Sequence, residues 1–209
     1  MIVIQQYDKS KLDHHSFDFV DFSKLVQSKN PTIVQVGAYD GVLGEEYGFH
    51  EYLESLNSFN LFLVEPIKHF FDNLKNVYEK YGDKIKYCNH AISNVDGDIF
   101  MIEQGCMSKI DTNGTLKVQS KTWNSFLKEN QIDKIDLLLL DCEGFEFEIL
   151  KNAFQTNENK VKPNVIRYEY LWISDKTGCD NLLLSNQYKI DYCKFDPIYN
   201  KVACSLSNN

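Results

Sequence analysis

The chain has 209 residues and a formal net charge of −8, with 43% hydrophobic and 25% charged residues. That length and composition fit one soluble globular domain, and no window approaches the roughly 20 apolar residues of a membrane span, so a cytoplasmic protein is expected. Among 22 basic residues only Arg167 is arginine, and the lysines are scattered, which argues against nucleic acid as a partner.

Residues 1–30 read as an N-terminal lead and helix, and 31–206 as a catalytic core. The opening Met1-Ile2-Val3-Ile4 lacks the basic start and long apolar run of an export signal. Residues 1–16, with His14 and His15, show no periodicity and form either a flexible lead or a flap over a cleft. From there, short apolar runs alternate with amphipathic stretches, a rhythm that predicts a mostly parallel seven-stranded sheet with helices on both faces.

The first strand, 33–36, runs into the loop Gly37-Ala38-Tyr39-Asp40-Gly41. A helix over 46–57 presents Phe49, Tyr52, Leu53 and Leu56 on one face, and the strand 61–64 ends in Glu65 before Pro66. The spacing of Phe70, Phe71, Leu74, Val77 and Tyr78 predicts a helix over 68–81, followed by a strand at 85–88. Asp96-Gly97 suggests a hairpin turn, with alternation at Ile99 and Met101 and then a loop. A helix over 122–130 uses Trp123, Phe126 and Leu127. The run 135–140 is a buried strand that ends in Asp141-Cys142-Glu143-Gly144-Phe145-Glu146 before a helix through Leu150. Strands at 164–169, 188–193 and 201–206 complete the sheet.

Two of these strand tips carry chemistry. Glycines at 37 and 41 let the main chain pass close to a ligand, and Glu65, 24 positions beyond Gly41, stands where a carboxylate accepts ribose hydroxyl protons. A nicotinamide dinucleotide site wants G-x-G-x-x-G, whereas here Asp40 sits between Gly37 and Gly41 and would repel phosphate. A phosphate-free ligand bearing an ammonium or sulfonium suits the loop, and S-adenosyl-L-methionine is the common cofactor of that kind. A plain structural turn also favours Asp-Gly. Asp141 and Glu143 repeat the theme at a second tip, although carboxylates there also suit the positive end of the following helix.

Six cysteines, at 88, 106, 142, 179, 193 and 204, show no Cys-x-x-Cys spacing, so reduced thiols are expected rather than structural zinc. Cys88 and Cys142 read as small hydrophobes, and His50 and His90 as packing or cleft-wall residues.

Several blocks together resemble the FkbM family of S-adenosylmethionine-dependent methyltransferases. They are Gln35-Val36-Gly37-Ala38-Tyr39-Asp40-Gly41, Leu63-Val64-Glu65-Pro66, Asn89-His90-Ala91-Ile92-Ser93 with Asp96-Gly97, Ile135 through Glu146, and Ile166-Arg167-Tyr168-Glu169-Tyr170. The resemblance implies a Rossmann-like methyltransferase fold with an antiparallel last strand. It also implies a cofactor site of Gly37, Ala38, Tyr39, Asp40, Gly41, Glu65, Pro66, Ala91, Ile92 and Asp141. In that reading the first loop holds the methionine part, Glu65 the ribose, and Ala91 and Ile92 the adenine. The segment Leu43 to Gly48 departs from the family pattern, and Tyr170 stands where relatives often place His.

Methyl transfer to a hydroxyl needs a base, and the candidates in order are Glu143, Asp141 and Glu169. The same three acids could instead hold a divalent cation, an option the sequence does not favour. The expected reaction is O-methylation of a sugar, a surface polysaccharide precursor or another small hydroxyl-bearing acceptor. The alternatives are an NAD-dependent oxidoreductase and a noncatalytic scaffold that keeps the methyltransferase fold.

Overall fold

The computed structural model describes residues 22–41, 47–155, 161–192 and 200–206; the lead at 1–16 and the segment 42–46 lie outside them. In chain order the first elements are α1 (Phe22–Leu25), β1 (Thr32–Val36), α2 (Tyr47–Ser55), β2 (Asn60–Val64), α3 (Lys68–Tyr78), β3 (Ile85–Cys88), β4 (Ala91–Ser93), β5 (Gly97–Ile102), β6 (Lys109–Ile110) and β7 (Leu116–Thr122). There follow α4 (Trp123–Glu129), β8 (Leu137–Leu140), α5 (Glu146–Gln155), β9 (Val165–Glu169), α6 (Lys176–Ser185), β10 (Tyr188–Tyr192) and β11 (Asn200–Ser205). No described helix is long and apolar enough to cross a membrane.

The main sheet has the strand order β10-β11-β9-β8-β1-β2-β3. It is a mixed sheet of seven strands, in which the last strand, β11, runs antiparallel as the family resemblance implies. The ladders from β3 through β9 are parallel, but β11 pairs antiparallel with both β9 and β10. The central strands are apolar on both faces because helices cover both. Val34, Phe62, Leu138 and Ile166 pack with Trp123, Phe126, Ile149 and Leu183 from α4, α5 and α6. Ile33, Leu61, Leu137 and Val165 pack on the other side with Phe22, Phe49, Leu53 and Leu74 from α1, α2 and α3. From β1 the chain proceeds to β2 and β3 on one side and later to β8 and β9 on the other. Such a switch point opens a crevice at the carboxyl ends of the strands.

A second, four-stranded sheet, β4-β7-β5-β6, occupies the region expected to be a hairpin and a loop. Asp96-Gly97 does not join paired neighbours, because β7 lies between β4 and β5. The Asp96 carboxylate accepts instead from the Thr122 amide at 2.7 Å and from Ser125 Oγ at 2.7 Å, at the start of α4. Thr122 caps α4 by accepting from the Ser125 amide. Helix α3 stops at Tyr78, short of the predicted 81, and tightens into a 3-10 segment, Glu79–Lys84, where Gly82 takes a positive φ.

Candidate active site

The loop after β1 is held by its neighbours on both sides. The Val64 carbonyl accepts from the amides of Gly37 at 3.0 Å and Ala38 at 3.1 Å. Gly37 has φ +79, and a Cβ on it would sit 1.7 Å from the Asp141 carbonyl oxygen, so only glycine lets the first loop lie against the β8 tip. Glu65 closes the arrangement. Its carboxylate accepts from the Tyr39 amide at 3.0 Å and the Ile67 amide at 2.8 Å, while Asn89 Nδ2 donates to the Glu65 carbonyl at 2.9 Å. Burial outweighs these two amide bonds and pushes the Glu65 carboxyl up to about 7, with nearby Asp40 acting in the same direction.

Gly37, Tyr39, Glu65, Pro66, Ala91, Ile92 and Asp141 line one cleft, whose empty space of about 530 Å³ includes its opening to solvent. Its walls are mostly apolar. Ile67 and Phe70 come from the start of α3, and Met101, Cys106, Ser108 and Ile110 from the second sheet and its loop. The Tyr39 and Phe70 rings meet at a tilt of 44° with centroids 4.2 Å apart, giving the cavity an aromatic side.

The turn after β8 bends through positive φ at Glu143 (+53) and Gly144 (+102). Glu146, fully buried at the start of α5, accepts from the amides of Cys142 and Gly144, the latter at 3.0 Å. Burial pushes its carboxyl up to about 7 despite those amides. Anchoring the helix start therefore falls to Glu146, whereas carboxylate oxygens of Asp141, Glu143 and Glu169 come within 4.8 Å of one another. Such a trio can accept a proton from a hydroxyl or, as hard oxygen donors, surround a divalent cation. Cys142 lines the cavity, but burial raises its thiol well above the ordinary range, which rules out a ready thiolate nucleophile. The cysteines at 88, 106, 142, 179 and 204 are all free thiols.

Beside the trio, Tyr170 donates to Asp180 Oδ2 at 3.2 Å, and Lys201 Nζ lies 3.4 Å from the Tyr170 ring centroid. Lys201 also donates to both Asp180 oxygens, at 2.9 and 2.8 Å, which ties β11 and α6 to the end of β9.

Residues 35–190 match the Methyltransferase FkbM domain. The chain belongs to the FkbM methyltransferase family. It is 25% identical over 121 residues to the hexuronic acid methyltransferase AglP of Haloferax volcanii, covering 54% of this chain and 50% of AglP. It thus spans about half the length of that curated relative. An FkbM methyltransferase from Methylobacillus flagellatus has the same fold, with TM-score 0.55 and 18% identity over 87% of this chain and 45% of its own. The precorrin-6y C5,15-methyltransferase of Geobacter metallireducens superposes with TM-score 0.52 and 12% identity, covering 88% of this chain and 86% of that one.

Within this FkbM domain, three residues expected at the cofactor site stand back from the cavity. Ala38 is buried in the core, and Gly41 backs onto Leu74 and Tyr78 of α3. Asp40 is half-buried beside Tyr39 without lining the cavity. His50 Nε2 lies 3.2 Å from the Gly41 carbonyl, and His90 Nδ1 lies 3.1 Å from the Ala91 carbonyl, so both are structural. Sequence reasoning missed Glu146, whose signal was its place at the first position of a helix. The cavity wall drawn from the second sheet left no local signal at all.

Proposed function

We propose that this protein transfers a methyl group from S-adenosyl-L-methionine to a hydroxyl oxygen of a sugar or another small hydroxyl-bearing acceptor. The observation that carries this reading is one cavity with Glu65 on its wall, apolar Ile92 and Met101 beside it, and Asp141, one of three clustered carboxylates, on its rim. In that reading Glu65 takes the ribose hydroxyls, and Pro66, Ala91 and Ile92 flank the adenine. The backbone at Gly37, which lines the cavity, passes close to the methionine part. When bound, the cofactor supplies an electrophilic methyl carbon on a sulfonium.

The protein's part is to hold the acceptor oxygen in line with the departing sulfur and to remove its proton as the new carbon–oxygen bond forms. Glu143 is the first candidate for that proton, because its carboxylate clusters with that of Asp141, which lines the cavity, with Asp141 and Glu169 next. The resemblance to the hexuronic acid methyltransferase AglP supports a carbohydrate acceptor.

Titration calorimetry with S-adenosylhomocysteine and with NAD tests the cofactor. Binding of the first alone is expected, and binding of NAD alone overturns the reading in favour of an oxidoreductase. If cofactor binds, Glu143→Gln is expected to slow methyl transfer by about 10²–10⁴-fold with little change in cofactor affinity. Unchanged biological activity with Asp141, Glu143 and Glu169 all neutralised would support a scaffold.

A further inference from the structure

We infer that Trp172 is the platform on which the acceptor's ring stacks, and that this acceptor is an uncharged pyranose rather than a uronate. The inference rests on the carbohydrate methylation proposed above and adds the residue that selects the sugar. Trp172 is 48% exposed, and it follows β9 three positions after Glu169. It also abuts the turn that carries Glu143. A Cβ on Gly144 would lie 2.9 Å from the Trp172 carbonyl oxygen and 3.5 Å from its Cβ, so glycine at 144 is what allows the two segments to touch.

The exposed ring is mounted on a fixed base. Lys176 Nζ donates to the carbonyls on either side of it, Leu171 at 2.7 Å and Ile173 at 3.1 Å, and Ile173 is buried in the core. With its main chain held this way, the segment loses little conformational freedom when a ligand covers the ring. The electron-rich face of an indole attracts the polarised C–H bonds along one side of a pyranose ring. A sugar lying there would be next to the turn that carries Glu143, one of the three clustered carboxylates. A uronate would bring another carboxylate to a cluster whose acidic oxygens already lie within 4.8 Å of one another, and like-charge repulsion disfavours it.

The chain holds two tryptophans, and Trp123 is fully buried, so acrylamide quenching of the fluorescence reports on Trp172. The protein saturated with S-adenosylhomocysteine is titrated with methyl pyranosides of glucose, galactose, mannose and rhamnose, and with methyl glucuronide. At least one neutral pyranoside is expected to halve the quenching constant, with methyl glucuronide having no effect. Trp172→Leu should abolish sugar binding measured by calorimetry while leaving S-adenosylhomocysteine affinity intact, and Trp172→Phe should restore part of it. Cofactor binding without protection of Trp172 by any neutral sugar, or protection by the glucuronide alone, overturns this inference and spares the methyltransferase reading. Loss of S-adenosylhomocysteine binding in the wild-type protein overturns both.

Discussion

The amide of Tyr39 donates to the carboxylate of Glu65 across 3.0 Å, so the glycine loop after β1 and the tip of β2 form one unit. Glu65 thereby has two tasks, shaping the loop and facing the cavity. Glu65→Ala is expected to weaken S-adenosylhomocysteine binding by roughly 1–3 kcal/mol, about 10- to 100-fold, and to lower the melting temperature as well. In the wild type, affinity should rise as pH passes through 7, where Glu65 ionises, and Glu65→Gln should remove that dependence. Calorimetry between pH 5.5 and 8.5 checks both. A flat wild-type profile with undiminished affinity in the alanine variant would exclude Glu65 from the cofactor site.

Gly37→Ala should be among the most damaging single substitutions in the chain. Its Cβ would lie 1.7 Å from the Asp141 carbonyl, at a φ of +79, where neither backbone can retreat without breaking the β1–β8 ladder. A loss above about 4 kcal/mol is expected in urea denaturation. Gly82→Ala is the control, because it has a positive φ but nothing within 4 Å, and it should cost about 1–3 kcal/mol from backbone strain alone.

Two buried carboxyls set an unusual pH dependence of stability. Glu146 and Glu65 both titrate near 7 in the fold, above their unfolded values. The fold therefore favours their protonated forms. The stabilisation from each is complete below about pH 4 and is lost as pH rises through 7. Urea denaturation should show stability falling by on the order of 1–3 kcal/mol per group between pH 5 and 8. Glu146→Gln should flatten the slope by about half, and an unchanged slope would assign the effect elsewhere.

Lys201 is 1% exposed and holds Asp180 and Tyr170 together. Lys201→Met keeps most of the side-chain volume but leaves Asp180 without its cation. A loss of roughly 1–3 kcal/mol is expected, less than for a fully buried pair because Asp180 remains partly solvated. Faster amide exchange in α6 than in β8 would locate the damage. Equal acceleration in both would instead indicate global unfolding.

Much of the scaffold could be read from local pattern. Leu61–Val64 and Leu137–Leu140 are continuous apolar runs, and Ile33–Val36 is interrupted only by the buried Gln35, because each is covered on both faces; all three are strands of the main sheet. Helix α6 was not legible. It carries Gly178 in its first turn and buries only Cys179 and Leu183, while its start depends on Asp175 accepting the Gly178 amide at 2.8 Å. The Asp96-Gly97 pair reads as a hairpin because turn chemistry is local, yet a strand from 20 residues further on takes the neighbouring place in the sheet.

By itself the sequence determined which segments are buried strands and that acids and glycines stand at their ends, because burial and turn formation depend on residues only a few positions apart. Which of those ends meet was decided by the tertiary structure. Asp141, Glu143 and Glu169 come together, and Glu65 shares a cavity with Met101 and Ser108, because strand order places β8 between β1 and β9 and sets the second sheet beside the tip of β2. Strand order follows from how both faces of the whole sheet can be covered at once, and no short stretch of chain contains that information.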